Sequence, residues 1–207
     1  MPTRNQKREL RAEMRTRRRG LTREARAQAN ANLHAHLISL LALSRPRRVG
    51  AYIANDGEID PISGLDQLIS HGVEGYLPVI FGTLRPRVRF ARYYPNEPLT
   101  RGRFDIPIPF HDKRELKDPI EIDWLLMPLV AFDDSGRRVG MGGGFYDATL
   151  AVSLTRRTWR RPRLIGVAHE FQRVEQLDVD HWDIPLDGIL TDIGFRSLSA
   201  ARVSREG

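Results

Sequence analysis

Short apolar runs alternate along this chain with stretches whose apolar residues recur at helical spacing. This alternation favours an α/β fold with a largely parallel central sheet flanked by helices, because helices then connect strands that return to the same sheet. A length of 207 residues suits a single domain over 1–207. The predicted strands lie within 48–54, 73–80, 88–94, 122–130, 164–168 and 188–191, and the predicted helices within 5–19, 22–41, 61–72 and from about 145. We expect the last strand to be followed by a C-terminal tail, 193–207.

The beginning of the chain predicts a helical arm. Residues 5–19 have an amphipathic pattern that Gly20 interrupts. Thr22 is a favourable N-cap for a second helix, whose small and apolar residues follow at intervals of four until the break at 44–46. We therefore expect an N-terminal helical arm over residues 1–44.

The composition excludes several classes of protein. Hydrophobic residues make up 41% of the chain and charged residues 29%, which is typical of a folded globular domain. No apolar run approaches about 18 residues, so we predict no membrane span, and the N-terminus lacks the apolar segment of a secretory signal. The absence of cysteine excludes disulfides and thiolate zinc sites. A cytoplasmic protein is the simplest interpretation.

The net charge of +7 lies entirely in the arm. Residues 1–26 hold ten Lys or Arg and three acids, whereas the remaining residues hold 23 of each sign. A basic arm suits nucleic acid or a small polyanion, but it also suits a solvated helix face. Charge alone leaves all three interpretations open.

A glycine-rich segment is the clearest functional signal. Five glycines fall within 136–144, between a predicted strand and a predicted helix, where free backbone N–H groups converge to make an anion site. Arg138 adds a guanidinium suited to phosphate. The spacing fits neither a P-loop nor a dinucleotide fingerprint, and a tight surface turn is the alternative. Asp147, just after the turn, suits either a magnesium ligand or a first-turn acid favoured by the helix dipole.

A long pattern at fixed spacing runs through this segment. It reads Gly136-x-Arg138-x-Gly140-x-Gly142-x-Gly144-Phe-Tyr146-Asp147, preceded by Met127-Pro128 and Phe132-Asp133. It resembles the signature of 5-formyltetrahydrofolate cyclo-ligases, also called 5,10-methenyltetrahydrofolate synthetases. Three further segments are similar in order and position, so that the resemblance covers residues 5–192: Lys7-x-x-x-Arg11, 53–60 with Glu58-x-Asp60, and 181–187 with Thr191.

The resemblance implies an enzyme that converts 5-formyltetrahydrofolate and ATP to 5,10-methenyltetrahydrofolate, ADP and phosphate, with Mg²⁺ as cofactor. ATP would phosphorylate the formyl oxygen and make it a good leaving group, so the protein has mainly to position two ligands and stabilise charge. The partners implied are the folate substrate and ATP. Membrane binding is not expected, nucleic acid is an unlikely partner, and no oligomer is required.

The resemblance also assigns roles to individual residues. Arg138 and Lys7 would be catalytic, and the ATP-binding residues would be Lys7, Arg11, Arg138, Gly140, Gly142, Gly143, Gly144 and Tyr146. The folate would contact Ile53, Glu58, Met141 and Phe145. Asp147 and Asp183 would bind the metal, with Asp187 as a competitor for the second position. Met141 and Pro61 depart from the family's usual residues in the expected substrate region.

Two other functions fit parts of the sequence. A nucleic-acid-binding protein would use the arginine-rich arm, but it would leave the glycine segment and its acids without a role. A phosphosugar or acyl-transfer enzyme could use a similar α/β scaffold, since fold does not determine function. Acyl transfer is less attractive because the chain has no cysteine and no evident Ser-His-acid motif.

Overall fold

The computed structural model describes residues 4–82, 87–154, 162–178 and 183–198. Seven strands form the central sheet, in the order β11-β10-β9-β6-β1-β2-β3. Their bounds, in chain order, are β1 Arg48–Gly50, β2 Glu74–Phe81, β3 Arg87–Tyr93, β6 Trp124–Pro128, β9 Arg163–Ala168, β10 Gly188–Thr191 and β11 Gly194–Ser197. Two small hairpins pair β4 Leu99–Arg101 with β5 Pro107–Pro109 and β7 Ala131–Phe132 with β8 Arg138–Val139.

The central sheet is parallel except at its two edges. β10, β9, β6, β1 and β2 pair with one another in parallel, whereas β3 and β11 pair antiparallel with their neighbours. The carboxyl ends of the five parallel strands therefore meet along one edge, where α/β sheets bind ligands. This confirms the predicted α/β fold with a largely parallel sheet.

Four helices complete the fold: α1 Arg4–Arg19, α2 Arg23–Ser44, α3 Ile62–Ser70 and α4 Phe145–Leu154. The sequence signals that bounded them are confirmed. α1 ends before Gly20, and the Thr22 hydroxyl accepts a hydrogen bond from the backbone N–H of Ala25 at 3.1 Å as a cap of α2. Pro61 precedes α3, where its missing N–H costs nothing. Within the described ranges, no helix combines the length and the hydropathy needed to cross a bilayer.

The core has a separate layer on each face of the sheet. Along β6, Trp124 and Leu126 point into a cluster with Leu33 and Leu37 of α2. Leu125 and Met127 point the other way, into a cluster that includes Leu150 of α4. Burying one such side chain stabilises the fold by about 1.5–3 kcal/mol. The alternation on β6 thus fixes α2 and α4 on opposite faces of the sheet.

Three local predictions differ from the structure. The strand predicted over 48–54 ends at Gly50, so the next residues are free to form a loop at the sheet edge. The predicted tail from 193 begins with β11, which extends the sheet beyond the strand expected to be last. The two small hairpins were not predicted, because strands of two or three residues are too short to show a period.

Candidate functional site

A cavity of about 1070 Å³ opens at the carboxyl ends of β1, β2 and β6. Its walls come from α1, the loop after β1, the end of β2, and the segment that joins β8 to α4. Apart from Asp187, the competing candidate for the second metal position, every residue to which the sequence assigned a catalytic, ATP, folate or metal role lines this one cavity: Lys7, Arg11, Ile53, Glu58, Arg138, Gly140, Met141, Gly142, Gly143, Gly144, Phe145, Tyr146, Asp147 and Asp183. Residues far apart in the chain are thus brought together, while their individual roles stay predictions.

The glycine segment connects β8 directly to the start of α4. Gly142 and Gly144 have φ angles of 101° and 61°, which L side chains rarely adopt. A Cβ atom on Gly140 or Gly144 would meet no atom within 4 Å, so the backbone there faces open space. The segment therefore presents bare peptide groups to the cavity at the N-terminal end of a helix.

Helix α1 forms the wall opposite this segment. Arg11 Nε donates to the carbonyl oxygen of Gly140 at 2.8 Å, which fixes the start of the glycine turn. Lys7 lies one helical turn earlier, with its Nζ 3.8 Å from Asp183 Oδ2. Met14, one turn later, is buried against Val139 and anchors the helix. Lys7 and Arg11 of α1 thus line the cavity.

A second ion pair lies beneath the glycine segment. Arg138 Nη2 is 2.6 Å from Asp147 Oδ1, and Arg138 Nη1 also donates to the carbonyl oxygen of Ile184. The Arg138 side chain is buried, whereas that of Asp147 is 28% exposed. Cation and carboxylate therefore alternate along this side of the cavity: Lys7 with Asp183 and Arg138 with Asp147.

The two candidates for the second metal position lie in different places. Asp183 lines the cavity, but Asp187 lies outside it, where its carboxylate accepts a hydrogen bond from the backbone N–H of Leu164 at 2.8 Å. This geometry favours Asp183 over Asp187. His181 and Trp182 of the same motif lie outside the described residues.

The loop after β1 carries Glu58 on the other side of the cavity. Asp56 and Gly57 have φ angles of 53° and 75°, and this turn lets the backbone N–H of Asn55 donate to Glu58 Oε2 at 3.1 Å. Burial raises the pKa of Glu58, while the Asn55 N–H and the charge of Arg18 act to lower it. Glu58 is thus a partly desolvated carboxyl group at a ligand-accessible surface.

Aromatic side chains lie next to this loop. Phe145 and Tyr146 are half-buried, line the cavity and pack against the core cluster that contains Leu150. Burial is the main cause of a raised pKa for Tyr146, so its hydroxyl is neutral at physiological pH and can act as a hydrogen-bond donor.

One wall of the cavity was missed by sequence reasoning. It comes from β2, β3 and the β4–β5 hairpin. Its apolar lining residues are Pro78, Val79, Ile80, Val88, Ile106 and Ile108, and Arg103 lines the cavity beside them. The signal was present in the apolar strands, but an apolar strand is equally typical of a core. Only the position of the β4–β5 hairpin leaves a ligand-sized space beside these strands.

The arginines within 15–19 of α1 were left without a role by the sequence. Arg15, Arg18 and Arg19 all pair with the carboxylate of Asp56, Arg15 at 2.5 Å and Arg18 at 3.3 Å. Burial acts to raise the pKa of Asp56, but the hydrogen bonds from Arg15 and Arg19 outweigh it, so this pKa is lowered. Part of the basic excess that suggested nucleic-acid binding is therefore neutralised within the fold.

Known proteins share both the sequence and the fold. The model of the 5-formyltetrahydrofolate cyclo-ligase family matches residues 3–192. The 5-formyltetrahydrofolate cyclo-ligase of Haemophilus influenzae is 35% identical over 88% of this chain and 95% of its own length. That of Escherichia coli K12 is 35% identical over 86% of this chain and 96% of its own length.

The chain belongs to the 5-formyltetrahydrofolate cyclo-ligase family. The resemblance carried by the glycine segment is thereby confirmed, as is the prediction that the chain is an enzyme of this family. The NMR structure of 5,10-methenyltetrahydrofolate synthetase from Aquifex aeolicus is 30% identical, with a TM-score of 0.77 over 97% of this chain and 94% of that one. The synthetase from Mycoplasma pneumoniae, 23% identical with a TM-score of 0.68, has the same fold.

Membership of the cyclo-ligase family gives the cavity a context. The family model extends over α1, the loop after β1, the glycine segment and Asp183, which are the parts of the chain that build the two charged sides of the cavity. The cavity is therefore the candidate active site of a cyclo-ligase.

Proposed function

We propose that the chain catalyses the ATP-dependent conversion of 5-formyltetrahydrofolate to 5,10-methenyltetrahydrofolate, with release of ADP and phosphate. The observation that carries this proposal is a single cavity with two chemically different ends. One end combines bare glycine peptides with Lys7, Arg11 and Arg138, and the other combines an apolar wall with Glu58. A polyanion and a flat, partly apolar ring system fit these two ends side by side.

The reaction needs the two ligands in contact. The formyl oxygen attacks the γ-phosphorus of ATP, the bond to the ADP oxygen breaks, and the formyl carbon becomes electrophilic. N10 then attacks this carbon, phosphate leaves with the former formyl oxygen, and N10 loses its proton. The protein's contribution is to align the formyl oxygen with the γ-phosphate and to stabilise negative charge as it moves.

The phosphate end of the cavity suits that task. The start of α4 and Arg138 both line this end of the cavity, and Lys7 adds a flexible ammonium group. Arg11 supports the turn by holding the carbonyl of Gly140 out of the way of the phosphates. Gly142, Gly143 and Gly144 complete the proposed ATP contacts, with Tyr146 beside them.

Asp147 and Asp183 fit a magnesium ion that is shared with the nucleotide. Among the residues that the structure describes, no three His, Cys, Asp or Glu side chains are grouped as a metal site. Magnesium commonly takes one or two carboxylates and completes its shell with water and phosphate oxygens, so two acids suffice here. When bound, Mg²⁺ supplies charge neutralisation on the phosphates. In the protein by itself, Arg138 and Lys7 balance the two carboxylates.

The folate end of the cavity suits a pterin. Glu58 can accept hydrogen bonds from the pterin N–H groups, and Ile53, Met141 and Phe145 offer apolar contacts around it. The apolar wall from β2 and β3 then has room for the rest of the folate. Since Glu58 is partly desolvated, its hydrogen bonds to a ligand are stronger than they would be in water.

An absorbance assay tests the proposal directly. Purified protein with 5-formyltetrahydrofolate and Mg-ATP should form 5,10-methenyltetrahydrofolate, followed by its own absorbance, with one ADP released per product. Omission of ATP should abolish product formation. ADP release that does not depend on the formyl folate would contradict the proposal.

A further inference from the structure

We propose that Arg18 is a positioning residue of the folate site: from behind the loop after β1, it holds Glu58 as a carboxylate directed into the cavity. Arg18 does not line the cavity itself. The inference rests on the proposed function and adds to it the element that supports the folate-binding carboxylate.

The first observation is the burial of a charge. Arg18 has no exposed side-chain surface, although a guanidinium is costly to remove from water unless carboxylates compensate for it. It has two such partners in the loop: Asp56, 3.3 Å from its Nη2, and Glu58, 3.6 Å from its Nη1. Arg18 is thus the buried centre of the charge network that the loop builds.

The second observation is spare hydrogen-bonding capacity. In the described part of the chain, Nε and Nη1 of Arg18 have no hydrogen-bond partner. The Nη1 atom faces Glu58 across 3.6 Å, which is an ion-pair distance but too long for a hydrogen bond. The N–H groups of a buried guanidinium ordinarily donate hydrogen bonds. Because the Nη1 of Arg18 lies near Glu58 without donating one, Arg18 acts on Glu58 through its charge.

The third observation is how closely the loop packs on α1. A Cβ atom on Gly57 would lie 2.9 Å from the carbonyl carbon and oxygen of Arg18, so the loop backbone rests directly on the backbone of the helix. On its other side, the carbonyl of Gly57 accepts a hydrogen bond from His169 Nε2 at 3.2 Å. The turn that carries Glu58 is therefore held between α1 and the loop after β9.

The same helix face serves both ends of the cavity. Lys7, Arg11, Met14 and Arg18 follow one another at intervals of four, three and four, which places them on one side of α1. The first two line the phosphate end, and Arg18 reaches the folate loop and also approaches Met141 Sδ at 3.9 Å. α1 is thus one rigid element that sets the distance between the two proposed ligands.

The charges around Glu58 determine the expected pH dependence. Burial and the nearby carboxylate of Asp56 raise the pKa of Glu58, and Arg18 opposes them. Tyr52 and Tyr146 also face Glu58, but burial raises the pKa of each, so neither carries charge near neutral pH. Removal of Arg18 therefore raises the pKa of Glu58 further, and the carboxylate is lost at a higher pH than in the native protein.

The test compares Arg18→Met, which keeps length but removes charge, with Arg18→Lys, which keeps charge, each with and without Glu58→Gln. Arg18→Met should raise the KM for 5-formyltetrahydrofolate by roughly tenfold or more while changing the KM for ATP less than about threefold. The rise should grow as the pH falls from 8 to 6, and Arg18→Lys should restore most of the loss. With Glu58→Gln already present, Arg18→Met should add less than about twofold.

Arg17→Gln is the matched control, because Arg17 is the preceding residue of α1 and its side chain is 48% exposed. It should leave both KM values unchanged. Thermal melting reports whether each variant folds; if Arg18→Met does not fold, Arg18→Gln, which also removes the charge, provides the same comparison alone and with Glu58→Gln. Equal losses for ATP and folate, or a loss that persists in full with Glu58→Gln, would overturn the inference. Failure of the native protein to bind 5-formyltetrahydrofolate by calorimetry would instead overturn the proposed function beneath it.

Discussion

The cavity has charge networks on two sides, and they differ in exposure. At the phosphate end, Arg138 is buried, but the side chains of Lys7, Asp183 and Asp147 are 17%, 21% and 28% exposed. At the folate end, Arg18 is fully buried and its carboxylate partners are 11% exposed. A ligand can replace partners that water already reaches, whereas a buried network resists exchange because each separated charge would be left desolvated. The first network is therefore suited to binding, and the second to holding a loop in place.

The largest expected effect lies in the exposed network. Asp147→Asn and Asp183→Asn should each lower kcat by on the order of a hundredfold and raise the magnesium concentration needed for half-maximal rate, because each removes a carboxylate proposed to hold the Mg²⁺ that neutralises phosphate charge. Steady-state rates over a magnesium titration provide the measurement. Asp187→Asn is the control, since Asp187 lies outside the cavity, and it should leave the magnesium response unchanged. A magnesium defect in Asp187→Asn alone would show that the metal assignment is misplaced.

The second-largest effect is expected at Glu58, in the network at the folate end. Glu58→Gln keeps the shape of the loop but removes the acceptor charge, so it should raise the KM for 5-formyltetrahydrofolate about ten- to a hundredfold and that for ATP little. In the native protein, the pKa of Glu58 is raised by burial, so the carboxylate form and tight folate binding are present above this pKa and lost as the pH falls through it. The ratio of the two KM values from pH 8 to 5 measures this. A Glu58→Gln variant that retains the native pH profile would show that Glu58 is not the group whose ionisation controls folate binding.

Replacement of Lys7 should have a smaller effect than replacement of Asp147, Asp183 or Glu58. Its ammonium group is flexible and pairs with Asp183 at 3.8 Å, so Lys7→Ala should weaken ATP binding about tenfold and leave folate binding intact. Nucleotide titration by calorimetry measures this. Arg8→Ala changes the same charge on an exposed position of α1. If the two variants weaken ATP binding equally, only the overall charge of α1 matters.

The smallest effect is expected at the outer edge of the buried network. Arg19 is 61% exposed and pairs with Asp56, so Arg19→Gln should lower the free energy of unfolding by at most about 1 kcal/mol and leave both KM values unchanged. The lowered pKa of Asp56 gives the sign of the pH effect. The Asp56 carboxylate contributes to stability above the pKa that it has in the unfolded chain, and this contribution is lost as the pH falls through its lower pKa in the folded protein. Urea unfolding of the native protein and of Arg19→Gln at pH 7 and in acid tests this. A destabilisation by Arg19→Gln that grows on acidification would contradict it.

Much of the phosphate end could be predicted from the sequence because its signals are local. Glycines at 136–144, a cation among them and an acid in the first turn of a helix predicted an anion site, with a tight surface turn as the alternative, and the structure brings Arg138, Gly140, Gly142, Gly143, Gly144 and Asp147 to one cavity. The spacing of four in α2 likewise predicted an amphipathic helix, and Ala29, Leu33 and Leu37 of that series are buried in the core. Such features depend on neighbours in the chain, whose spacing the sequence displays.

The folate end was decided by tertiary structure. Helical spacing places Arg18, unlike Arg17 and Arg19, on the side of α1 that carries Met14, but spacing alone does not show that Arg18 is buried, because its burial depends on where the loop after β1 crosses the helix. The apolar wall was equally hidden, since apolar strand residues read alike whether they face a core or a ligand. The sequence alone determined the helices, the longer strands, the glycine turn and the family. Only packing between distant segments decided which charges are buried and which face the ligands, because desolvation depends on what surrounds a side chain in space.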